Sequence, residues 1–161
     1  MAEQRVMRRV VREEERGVLL PEALAALAVL GLVAVGAAGM AAVALRGERL
    51  AAEHAAARRA AVSALARVAT VSWVRLPLVF GGSGDDTALA VSSSRNPGHG
   101  LVAGLAEGLP RAEVLVRAEG LAPGGAAARF REAVAIRVRA RVTWRGRDGA
   151  VHRVVLAETR Y

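Results

Sequence analysis

The feature that most constrains this chain is a run of 23 residues without a charged side chain, from Ala23 to Leu45. In helical conformation the run is about 34 Å long, which is enough to cross a hydrocarbon core of roughly 30 Å. It is also longer than the apolar core of a cleaved secretory signal, which has roughly 7 to 15 residues. The run therefore predicts a membrane-spanning helix.

Arginines flank the run on both sides, and the count predicts the orientation. Five precede it, and four follow it closely: Arg5, Arg8, Arg9, Arg12 and Arg16, then Arg46, Arg49, Arg58 and Arg59. The small excess before the run favours a cytoplasmic N-terminus, because positive charge is retained on that side. We expect a single-pass protein of the cytoplasmic (inner) membrane with an extracytoplasmic C-terminal domain.

Two residues at the N-terminal edge of the run need an explanation. A carboxylate such as Glu22 costs about 2.5 to 3.5 kcal/mol within an apolar span, so it usually has a partner. Arg16 is one candidate, if Glu22 lies at the membrane interface. The other is the amino group that a cut after Gly17 would create on Val18 of a neighbouring copy. Pro21 would then lie in the first helical turn, where proline is tolerated because a backbone N–H there would have no intrahelical acceptor.

One short segment resembles the N-terminal signature of type IV pilins and type II secretion pseudopilins: Arg16 to Leu24, RGVLLPEAL, followed by the apolar run. The resemblance implies that prepilin peptidase cuts after Gly17 and that Val18 is then N-methylated. It implies that Glu22, preceded by Pro21, helps the subunit to dock into a helical filament. The implied partners are other pilins or pseudopilins, the prepilin peptidase, the inner-membrane assembly platform and membrane lipids.

The helical pattern continues beyond the run. Apolar or small residues recur every three or four positions and form one stripe: Leu50, His54, Ala57, Ala61, Leu65 and Val68. We expect one helix from Val18 to about Leu76, ended by Pro77. The predicted divisions are a cytoplasmic leader (1–17), a transmembrane helical half (18–45), an amphipathic extracytoplasmic half (46–76) and a small antiparallel sheet domain (77–161).

The C-terminal half of the chain has the pattern of a small sheet. Strict alternation from Val134 to Trp144 predicts a strand with one buried and one wet face. Gly146 to Gly149 predicts a turn, and Ala150 to Thr159 the returning strand. Ala88–Val91 and Ala112–Ala118 are weaker strand candidates. The predicted fold class is α+β and pilin-like, with a long N-terminal helix packed on a small antiparallel sheet.

The sequence favours no catalytic, cofactor or metal site. The chain has no cysteine, which excludes disulfides and thiol chemistry. His54, His99 and His152 are scattered and lack ligand spacing. Asp85 and Asp86 are adjacent acids without the spaced oxygens of a calcium loop, so a loop role is favoured. We expect a mechanical subunit rather than an enzyme.

The wet face of the clearest strand carries Arg137, Arg139, Arg141 and Arg145. Along a strand these side chains repeat at about 7 Å, close to the phosphate spacing of DNA, but no aromatic residues are interleaved for stacking. The sequence favours a solvated face or a subunit contact over a nucleic-acid surface. The favoured function is a minor pilin or pseudopilin of a pilus or of type II secretion. The alternatives are an unprocessed membrane-anchored binding domain and a DNA-binding pilin of a DNA-uptake machine.

Overall fold

A computed structural model of the chain describes residues 3–161, with side chains described from Leu20 onward. Its helices are α1 (Glu3–Ala69), a short 3-10 helix (Trp73–Arg75) and α2 (Leu76–Val79); its strands are β1 (Ala88–Ser92), β2 (Glu113–Leu121), β3 (Ala135–Arg145) and β4 (Val151–Arg160). The chain divides between Glu48 and Arg49 into two compact units. The fold class is α+β, as predicted.

The first unit consists of helix α1 up to Glu48. All of its described side chains are exposed, including large apolar ones such as Leu32 and Val35, which are more than 70% accessible. A helix that is apolar on every face requires an apolar environment, either lipid or other helices. In the described part of the chain, α1 is long and apolar enough to cross a membrane.

Helix α1 ends at Ala69, seven residues before the predicted end at Leu76. The hydroxyl of Thr70 donates to the carbonyl oxygen of Arg67 (2.8 Å), and the Val71 amide donates to Val68 three residues back (3.0 Å). Ser72 is then extended, with ψ at 141°. Hydroxyl and β-branched side chains compete with helical hydrogen bonding, so these residues end α1 without a glycine or proline.

Pro77 was predicted to terminate the long helix, but it lies instead in the first turn of α2. Proline fits there because its missing N–H would have had no intrahelical partner. The segment after α1 therefore turns back through two short helices, and Leu76 and Phe80 join the core.

The four strands form one antiparallel sheet in the order β1-β2-β3-β4. All four predicted strands are present, although β2 runs on to Leu121, three residues beyond its predicted end. The hairpin between β3 and β4 closes as predicted, with the Gly146 amide donating to Ala150 at 2.9 Å. Gly149 has φ at +81°, a conformation that favours glycine.

The core of the second unit lies between α1 and one face of the sheet. Alternate residues of β3 are fully buried, from Ile136 to Trp144, whereas the predicted first member, Val134, is exposed. Helix α1 contributes mainly alanines to this core: Ala57, Ala60, Ala61 and Ala64, with Val68. Leu50 and His54 were predicted in the same stripe but are exposed. These small side chains pack against the buried face of the sheet.

Substitution of Ala61 tests this close packing. We expect Ala61→Leu to lower the free energy of unfolding by about 1 to 3 kcal/mol, because Ala61 is fully buried and extra methylenes have no room. The matched control is Ala55→Leu on an exposed face of the same helix, which should have little effect. Denaturant unfolding followed by tryptophan fluorescence measures both. Equal stability of the two variants would contradict the packing.

Candidate functional site

The first candidate site is the N-terminal edge of the apolar helix. Glu22 is exposed on α1, and Pro21 lies within the same helix. The surface around the Glu22 carboxylate is formed by short apolar side chains and one leucine: Ala25, Ala26, Val29, Leu30 and Val33. The predicted cleavage pair, Gly17 and Val18, and the alternative partner Arg16 lie outside the side chains that the structure describes. The pairing of Glu22 therefore stays a prediction.

The second candidate site is the outer face of the sheet, on the side away from α1. The register places Arg139 directly opposite Arg117 of β2, and Arg137 opposite Glu119. Arg141 lies between Leu115 and Val155 on the neighbouring strands. Directly opposed like charges destabilise a sheet, so the Arg117–Arg139 pair favours binding of an anion.

Sequence analysis identified only the β3 members of this arginine face. Arg117 on β2 and Arg153 on β4 also project to it, since both pair with outward-facing residues of β3. None of the arginines of this face forms an ion pair within 4.0 Å in the part of the chain with described side chains. Arg117 and Arg153 were missed because alternation within one strand does not show how that strand aligns with its neighbours.

Glu113, at the start of β2, is the carboxylate nearest to one end of the arginine face. It accepts hydrogen bonds from the hydroxyls of Ser92 and Ser94, the latter at 2.8 Å. These two bonds lower the pKa of Glu113 below its ordinary value. Burial opposes them, and the positive charges of Arg141 and Arg95 add smaller lowering effects. Glu113 is therefore an ionised, hydrogen-bonded side chain at neutral pH.

The third candidate site is a cluster around the buried Trp144. Its indole N–H donates to the Glu53 carboxylate at 3.0 Å. His54 packs edge-on against the indole, and His152 stacks on it with ring centroids 5.3 Å apart. The prediction that the histidines are scattered is wrong for this pair, because the hairpin brings His152 to within 5.6 Å of His54. The cluster joins α1 to the hairpin.

The remaining candidates have structural contacts. His99 shares a hydrogen bond of 2.8 Å with the carbonyl oxygen of Val79. Asp85 pairs with Arg131 at 2.6 Å, and Asp86 accepts from the Ser83 amide at 2.7 Å. Within the described residues, no three His, Asp or Glu side chains are grouped so as to hold a metal ion.

The fold and these sites define a class: an α+β protein with a long, partly apolar N-terminal helix packed on a four-stranded antiparallel sheet. Comparisons of the chain with protein-family models, curated proteins and solved structures found no match.

Proposed function

We propose that this chain is a minor pilin or pseudopilin, inserted in the cytoplasmic membrane and assembled through helix α1 into a type IV pilus or a type II secretion pseudopilus. The observation that carries the proposal is the placement of Glu22. It is a single exposed carboxylate on α1 immediately before 23 uncharged residues, and it lies five residues after Gly17.

The surroundings of Glu22 support docking between helices. The side chains beside it are mostly alanine and valine, so a second helix can approach its carboxylate closely. A carboxylate in such a contact requires a positive partner, because an unpaired charge is costly away from water. The Val18 amine of a neighbouring copy, freed by cleavage, supplies that charge at the start of an equivalent helix.

Cleavage is the first step of the proposal and is directly measurable. We expect co-expression with a prepilin peptidase to remove residues 1–17 and leave Val18 at the N-terminus, with one added methyl group. Intact mass and N-terminal sequencing of the purified protein measure both changes. Gly17→Leu is the control, which should remain full length. If the parent chain also keeps Met1 in the presence of an active peptidase, the unprocessed membrane anchor replaces this proposal.

The arginine face supports a second candidate function, a DNA-binding pilin. Its favouring observation is the Arg117–Arg139 pair, in which two unneutralised guanidinium groups oppose each other across neighbouring strands. The guanidinium group of arginine can donate two parallel hydrogen bonds to phosphate oxygens. The spacing of the arginines along β3 is close to that of successive phosphates in DNA.

Replacing Arg137, Arg139, Arg141 and Arg145 with glutamine tests this second function. We expect the full chain in neutral detergent to bind duplex DNA with an affinity that falls as salt rises. The fourfold variant should reduce the logarithmic salt slope by about three to four, because each phosphate contact contributes about 0.9. The matched control replaces four arginines that lie off β3 with glutamine: Arg58, Arg59, Arg75 and Arg129. Salt-independent or undetectable binding by the parent chain would reject a DNA role.

A further inference from the structure

A groove at the hairpin end of the sheet contains Arg145, the last member of the arginine face, together with residues that the functions proposed above do not use. It has a volume of about 380 Å³ and is lined by Arg111, Glu113, Thr143, Trp144, Arg145 and Val151. We call it the hairpin groove. The Arg145 amide donates to the carbonyl oxygen of Pro110 at 3.3 Å, which holds the segment containing Arg111 beside the end of β3. Two arginines thus line one open groove.

The backbone of Arg111 is strained. Its φ is +48°, the only positive value at a non-glycine residue in the described chain. A left-handed conformation costs an ordinary side chain about 1 to 2 kcal/mol. Such outliers concentrate at binding sites, where the surrounding structure holds a side chain in a required position. Here the strained residue is also a groove-lining cation.

The two arginines of the hairpin groove have no carboxylate partner. No carboxylate oxygen of the described side chains lies within 4.0 Å of either guanidinium. Glu113 lines the same groove, but Ser92 and Ser94 already bind its carboxylate. Arg111 and Arg145 therefore present free planar forks, which match the oxygens of a phosphate. Thr143 adds a hydroxyl to the lining.

The position of the groove in the second unit indicates the source of the phosphate. Trp144 lines the groove and is hydrogen-bonded to Glu53 of α1. Glu53 is only eight residues beyond Leu45, the last residue of the charge-free run, a rise of about 12 Å in a helix. The headgroup layer of each leaflet occupies the first 5 to 8 Å or so beyond the hydrocarbon. The groove is therefore connected to the end of the charge-free run by one side-chain hydrogen bond and eight residues of helix.

We propose that the hairpin groove binds the headgroup phosphate of an anionic phospholipid, with Arg111 and Arg145 donating to its oxygens. Val151, exposed on the groove wall, contacts the glycerol carbons. The inference rests on the membrane-anchoring part of the proposed function, but it requires neither cleavage after Gly17 nor filament assembly.

A titration of the uncleaved full chain in neutral detergent tests the site. Isothermal titration calorimetry measures binding, because Trp144 is buried against α1 on the opposite face of the sheet from Arg145 and its fluorescence would not report on the groove. The probes are short-chain phosphatidylglycerol, phosphatidylcholine of the same chain length, inorganic phosphate and a short DNA duplex. We expect a saturable change with phosphatidylglycerol alone. Arg111→Gln and Arg145→Gln should each weaken its binding about tenfold, because each removes charge-assisted hydrogen bonds.

The control is the double variant Arg75→Gln and Arg129→Gln, which removes two exposed positive charges that lie off both the arginine face and the groove. It should bind phosphatidylglycerol within about twofold of the parent. Equal weakening by the control would show general attraction of an anion to a basic chain and overturn the site. An equal response to inorganic phosphate or to DNA would overturn the lipid assignment, and no saturable response would overturn the proposal. Cleavage and assembly are measured separately, so their failure leaves this result interpretable.

Discussion

Replacing Glu22 with valine is expected to leave cleavage after Gly17 intact and to reduce incorporation into filaments by more than about tenfold. Cleavage should persist because the peptidase acts at Gly17, five residues earlier. Assembly should fail because the Val18 amine of the neighbouring copy would then have no carboxylate in an apolar contact, and an unpaired charge there costs several kcal/mol. The measurements are the mass of the membrane-bound subunit and its amount in sheared filaments.

Two further variants make the Glu22 result specific. Glu22→Asp keeps the charge on a shorter side chain and should restore part of the assembly. Glu48→Val removes an exposed carboxylate from the same helix beyond the apolar run, and should assemble like the parent. Normal assembly of Glu22→Val would leave Glu22 as an ordinary interface residue that Arg16 can satisfy, and would reject the docking mechanism.

Replacing Trp144 with alanine is expected to lower the free energy of unfolding of the second unit by about 3 to 5 kcal/mol. Trp144 is the largest fully buried side chain of the described residues, and its loss leaves a cavity under α1. It also removes the hydrogen bond to Glu53 and the surface on which His152 stacks. Unfolding in denaturant, followed by circular dichroism of the full chain in detergent, measures the change.

Trp73→Ala is the control for the Trp144 substitution. Trp73 is the only other tryptophan and is half-buried at the start of the 3-10 helix, so its loss should cost clearly less. Trp144→Phe separates the contributions, because it keeps most of the packing and removes the indole donor. If Trp144→Ala were no more destabilising than Trp73→Ala, the cluster around Trp144 would not be the link between α1 and the hairpin.

The sequence predictions were correct where the structure depends on neighbouring residues of one element, and wrong where it depends on contacts that hydropathy along the chain does not show. Alternation along β3 predicted its buried face correctly from Ile136 to Trp144, because period-two burial depends on one strand lying on one core. The predicted helix end failed, because the end at Ala69 depends on a hydroxyl and an extended serine rather than on glycine or proline. Val134 was predicted as buried but lies just before β3 begins and is exposed.

The candidate sites divide in the same way. Glu22 and Pro21 were identified because their proposed roles depend only on their positions along one helix. The pairing of Arg117 with Arg139, the approach of His54 to His152 and the groove between Arg111 and Arg145 were not predicted. Each joins residues that are 22 to 98 positions apart in the chain. The periodicity of residues within one helix or strand does not show which distant residues come into contact.

By itself the sequence determined the membrane-length helix, the alternating strand and the isolated carboxylate, since each follows from hydropathy and charge read along consecutive residues. Only the tertiary structure decided which side chains share a surface. Strand register set the arginine face, and the hairpin placed Trp144 and His152 against α1. The physical reason is that local preferences act through the backbone of neighbouring residues, whereas contacts between elements depend on how their packed faces align in three dimensions.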